Sequence, residues 1–176
     1  CNKFCPSGIC TSSVCTGSNP GDLIVIGNDY TTGITGGSSQ ARLLTNSVLI
    51  GSANPLHVFS YETFAAAASV STVRALVTSS TARSVQFTVV PNDGAMQSMT
   101  LITNYDVILI YDQKNANGGT LTTLGNTFGP YLLKFLTDGG TVVILDGASG
   151  AAQPMPQFIK ATGLLDIAGH TIQAAG

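Results

Sequence analysis

The sequence has no tryptophan, only seven lysine and arginine residues against nine aspartate and glutamate residues, and no cysteine beyond position 15. Charged side chains make up 9% of the chain, where soluble domains ordinarily carry about 25%. With seven cations and a formal net charge of −2, there is no basic stripe to neutralise a row of phosphates, which argues against nucleic acid as a partner. Long apolar runs are missing too. A bilayer-spanning helix needs roughly 18 to 20 such residues, and the longest stretch here, at 107–111, has the length of a buried strand.

What remains is a chain of 176 residues with 44% hydrophobic content, enough for one sizeable core but not for two independent ones. Its surface must be built from hydroxyls, amides and glycine. Low net charge weakens the repulsion that keeps copies apart, so self-association is expected.

The four cysteines, Cys1, Cys5, Cys10 and Cys15, all fall in the first fifteen residues, mixed with Pro6, Gly8 and several Ser and Thr. So short a segment cannot bury a core and needs staples, which points to a disulfide cap formed in an oxidising compartment. The competing reading is a four-thiolate zinc site, but the spacing C-x3-C-x4-C-x4-C lacks the paired C-x2-C knuckles that seat a tetrahedral ion. Cys1 in first position also fits a lipidated lipoprotein terminus, the one route by which this sequence is expected to reach a membrane. Lipidation of Cys1 would leave three cysteines and hence one without an intrachain partner.

Residues 16–21 are rich in turn formers and empty of apolar side chains, dividing a cysteine-rich segment and linker (1–21) from a domain (22–176). In the domain, β-branched runs at 23–26, 57–61, 85–90, 107–111 and 142–145 alternate with helical periodicity at 40–50, 62–80, 97–103, 121–136 and 157–162. Such continuous apolar runs suit parallel strands covered on both faces. The expected fold is α/β: a flavodoxin-like, doubly wound, mainly parallel five-stranded sheet of order 2-1-3-4-5 behind a short disulfide-bearing N-terminal segment. Ser39 is the expected N-cap of the first helix, and Pro130 predicts a kink or a late start in the helix at 121–136.

The run Tyr-Asp-Val-Ile-Leu-Ile-Tyr-Asp at 105–112, the helix end Leu-Lys-Phe-Leu-Thr-Asp-Gly-Gly at 133–140 and Thr-Val-Val-Ile-Leu-Asp-Gly at 141–147 resemble the class I glutamine amidotransferase-like superfamily, in particular its ThuA-like branch. The stretch at 22–30 with Arg-Leu-Leu-Thr-Asn-Ser-Val at 42–48 looks like domains of exported bacterial proteins that follow cysteine-rich segments. The resemblance implies a fold more than a chemistry. Glutaminase activity in that superfamily uses a cysteine on a strand-to-helix elbow, and this domain has no cysteine.

Asp29, Glu62, Asp93, Asp112 and Asp146 each follow an expected strand, at the sheet edge where doubly wound folds bind ligands. Asp29, Asp112 and Asp146 form the best trio for a divalent metal; the plainer reading is that such residues form Asx turns and cap helices. Gly-Ala-Ser149-Gly-Ala at 147–151, with Asp166 and His170 downstream, approximates the nucleophile elbow of serine hydrolases. Ala151 replaces the final glycine, however, and Asp166 and His170 are only four positions apart. His57 reads as a strand-edge residue. Gly33, Gly36 and Gly37 match no phosphate-binding fingerprint and read as a surface loop.

The expected function is therefore that of a non-catalytic, exported, cell-surface or extracellular bacterial protein serving structure or interaction, self-assembling or binding other surface proteins, with no cofactor. The alternative is a secreted hydrolase on the same fold, using Ser149 or a carboxylate-bound metal.

Overall fold

A computed structural model of the chain describes residues 10–11, 14–15, 20–31, 33–98, 104–147 and 155–169. In the N-terminal segment, β1 (Cys10–Thr11) pairs antiparallel with β2 (Val14–Cys15), setting Cys10 opposite Cys15. The expected disulfide cap lies outside what is described: Cys1 and Cys5 are not among the described residues, and of Cys10 and Cys15 only the backbone pairing is. The hairpin is thus established and its cross-linking is not.

Five parallel strands build the domain: β3 (Leu23–Ile26), β4 (Leu56–Tyr61), β5 (Val85–Val89), β6 (Val107–Ile110) and β7 (Thr141–Leu145). They lie in the order β3-β7-β6-β4-β5. The flavodoxin-like architecture expected from the sequence is present, but the order 2-1-3-4-5 does not hold in chain sequence. Read from the other edge, β5-β4-β6-β7-β3 fills the same five positions with β4 in first place and β3 in fifth, so the chain enters the sheet at an edge. The reason lies in burial. Three of the four β3 residues are half-exposed, whereas every residue of β6 and β7 is buried; a short, partly wet strand suits an edge and not the centre.

Alternation along the central strands feeds two cores. Val107 and Leu109 of β6 and Val143 of β7 face α1 (Ser39–Val48) and α2 (Ala67–Ser79), packing on Leu44, Val48, Val73 and Val77. Ile108, Ile110 and Ile144 face the opposite layer, formed by a 3-10 turn (Asp93–Gln97), α3 (Gly118–Thr137) and α4 (Met155–Ala161), and meet Met96, Phe128 and Phe158. No helix among the described residues is long and apolar enough to cross a membrane.

Three local expectations are corrected. The N-cap of α1 is Ser38, whose hydroxyl accepts from the Ala41 N–H at 3.1 Å, so Ser39 is the first helical residue instead. The connection at 97–103 is described only as the 3-10 turn that ends at Gln97. Finally, α3 neither starts late nor breaks at Pro130: it runs from Gly118, capped by the Asn117 side chain on Thr120 N–H at 2.8 Å, to Thr137. Packing holds α3 through the proline. Gly125 and Gly129, one turn apart, let α4 approach so closely that a β-carbon on either would stand 2.5 Å from the Phe158 carbonyl or 2.3 Å from that of Thr162. The helix ends as the sequence implied: Gly139 takes φ 90°, with Gly140 N–H donating to Phe135 and Gly139 N–H to Leu136, both at 2.9 Å, the paired bonds of a Schellman stop.

Candidate functional site at the carboxyl edge of the sheet

From β4 the chain turns into α2 on one face, and from β6 into α3 on the other. The carboxyl ends of these neighbouring strands therefore form the switch point at which open α/β sheets bind ligands. Here that crevice is filled. The Gln113 side chain is wholly buried; its amide nitrogen donates to the carbonyls of Tyr61 (3.2 Å) and Tyr111 (2.6 Å), and its oxygen accepts from Phe64 N–H at 2.9 Å. Asn115 adds a second tie, its side chain donating to the Ala65 carbonyl at 3.2 Å and its N–H to that of Phe64 at 2.9 Å. The sequence reading passed over Gln113. The available signal was an amide, able both to donate and to accept, directly after a buried strand.

Beside the filled crevice, Glu62 accepts from Ser60 and pairs with Arg74 at 2.5 Å, while the Arg74 guanidinium lies 5.3 Å from the Phe87 ring centre. The Tyr111 hydroxyl is buried here without a well-formed hydrogen bond. Burial, then the Glu62 charge, pushes it up to about 12. Tyr61 donates to Asp93 at 2.7 Å, and burial foremost, with that bond, raises the phenol well above its ordinary range. Glu62 and Asp93 are thus committed to partners within the chain.

Asp29, Asp146 and Asp112 follow β3, β7 and β6, three adjacent strands, and the fold brings them into one electrostatic neighbourhood. Asp29 accepts from Thr31 N–H at 2.8 Å, the Asx turn of the plainer reading. Asp112 departs from that reading. Its side chain is more than nine-tenths buried, 7% exposed, and Oδ1 has no hydrogen-bond partner. Oδ2 lies 2.5 Å from where a β-carbon on Gly147 would stand, so the glycine is what leaves room for the carboxylate. Burial, then the charges of Asp146 and Asp29, raise Asp112 to about 7, against a smaller opposing pull from Lys114. Among the described residues no three His, Cys, Asp or Glu side chains stand together as a ready metal site; neighbouring charges are not yet a converging ligand set.

Of the hydrolase constellation, Ser149 and His170 lie outside the described residues, and Asp166 is exposed in the turn beyond α4. His57 sits at the opposite, amino end of the sheet, its N–H donating to Asp106 at 2.8 Å and its ring 3.6 Å from the same carboxylate. Gly33 and Gly37 have φ of 74° and 85° with open space around them, as in a surface loop.

Comparison with protein-family models, with curated proteins and with solved structures found no match. The resemblance to the amidotransferase-like superfamily accordingly rests on the residues quoted for it and identifies no family.

Proposed function

We propose that this chain is a non-catalytic, exported contact module that works through its surface, self-association included. The observation that carries this reading is the Gln113 plug: at the switch point between β4 and β6, where open α/β sheets receive ligands, the protein's own buried side chain is bonded to the chain on both sides.

The surface supports it. Pro20, Leu23, Leu133, Leu136 and Leu164 line a shallow hollow of about 530 Å³ beside the edge strand β3, with no charged residue in its lining. Leu133 is 56% exposed there. Among the described residues the outer side of β3 has no strand neighbour, and an uncharged, apolar face of this kind is one that a second copy meets without like-charge repulsion. Export is supported by the crowding of every cysteine into the first fifteen residues, a usage suited to oxidising compartments.

Light scattering over a concentration series tests the assembly. The expected result is a mass that rises with concentration and falls back to that of the monomer in Leu133→Asp. A wild-type chain that stays strictly monomeric at high concentration overturns it.

A further inference from the structure

Asp112 is the most anomalous ionisable group in the described structure. Buried carboxylates are normally paired, because an unpaired buried charge is strongly disfavoured. Of the other acids of the carboxyl edge, Glu62 is met by Arg74 and Ser60, Asp93 by Tyr61 and Asp29 by the Thr31 N–H. Asp112 keeps an orphan oxygen while Asp146 and Asp29 add negative charge around it, and Lys114 offsets them only in part. Gly147 withholds the side chain that would displace the carboxylate. A group so placed attracts positive charge.

We propose that Asp112, with Asp146, binds a hard divalent cation of the Mg2+ type at the carboxyl ends of β6 and β7, Asp29 contributing long-range charge. The choice of cation follows from the arrangement. Among the described residues no three His, Cys, Asp or Glu side chains converge as a cage, which disfavours the six to eight oxygen ligands that Ca2+ collects, whereas Mg2+ keeps most of its waters and is held through one or two carboxylates. The inference does not depend on whether the chain self-associates.

The test is thermal unfolding of the full chain, first in chelator and then with MgCl2 or CaCl2 as the probe. At a free Mg2+ concentration about ten times its dissociation constant, Tm should rise by about 3–6 °C. Asp112→Asn keeps the shape and removes the charge; its Tm in chelator should exceed that of the wild type, and its response to Mg2+ should be lost. Asp146→Asn should weaken the response, and calorimetric titration of the wild type should give one site per chain. An unresponsive wild type at millimolar Mg2+, or a response that survives in Asp112→Asn, overturns the proposal. A Ca2+ response without a Mg2+ response overturns the assignment of the ion.

Discussion

The Cα of Gly129 lies so close to the Thr162 carbonyl that a β-carbon there would stand 2.3 Å away. This approach closes α4 onto α3 and thereby seals the core face built on Phe128 and Phe158, whose rings meet edge-on at 6.2 Å.

Gly129→Ala must push α4 outward. Overpacking of this kind typically destabilises by about 1–3 kcal/mol, even though alanine is the better helix former by roughly 1 kcal/mol. Urea denaturation followed by circular dichroism should show a lower midpoint. A midpoint at or above that of the wild type would mean the two helices are not packed at this distance.

Gln113→Leu keeps the bulk of the plug but strips its hydrogen bonds, taking the side-chain partner from the Phe64 N–H and the Tyr111 carbonyl, while the Tyr61 carbonyl keeps its bond from the Tyr111 N–H at 3.2 Å. Unmet buried polar groups cost about 1–3 kcal/mol each, so the loss should be on the order of 2–4 kcal/mol. Amide exchange should speed up at Phe64 specifically; unchanged protection there would contradict its bond to Gln113.

Asp112 makes stability depend on pH in the less common direction for an acid. Its folded value, about 7, lies above the ordinary value of 3.8, so the folded chain holds the proton more tightly than the unfolded one. The native state is then disfavoured progressively as pH rises from about 4 to 7, with no further change from this group above that window. In chelator, the gain in stability from Asp112→Asn should be near zero at pH 4 and reach a few kcal/mol, to order of magnitude, at pH 8. An equal gain at both ends would show that burial, with the charges of Asp146 and Asp29, does not raise Asp112 as described.

The register that sets Cys10 opposite Cys15 also orders its own test. Antiparallel partners have Cα atoms about 4.5–5.5 Å apart, so the pairing of Cys10 with Cys15 falls within the span a disulfide accepts. Partial reduction with sequential alkylation of protein from an oxidising compartment should label these two cysteines together. A bond from either one to Cys1 or Cys5, or four thiols that release zinc, would exclude this pairing.

All five domain strands were legible in the sequence because their apolar runs are continuous, and the Asp-Gly-Gly turn after α3 was legible because a left-handed residue there demands glycine. The sheet order was not: Leu-Ile-Val-Ile at β3 reads like a central strand, and only burial shows it to be an edge. Pro130 misled for a related reason, since a local breaker lost to the packing of Leu124, Phe128, Leu132 and Phe135. At the site, the acids at 29, 112 and 146 were found by their position after strands. What spacing could not tell is that Asp29 is spent on an Asx turn while Asp112 keeps a buried oxygen without a partner, because that difference arises from how neighbouring strand ends crowd together.

Placing β3 at the edge and parallel to β7 also has a mechanical consequence. Residues 1–19 join the domain at Pro20, beside the amino ends of the strands, while Asp112 and its neighbours lie at the opposite pole. Tension entering through that segment while the far pole is held runs along the strand axis. The four pairs from Leu23–Val142 to Ile26–Leu145 are then loaded together in shear, and must slip as a unit instead of peeling apart one at a time.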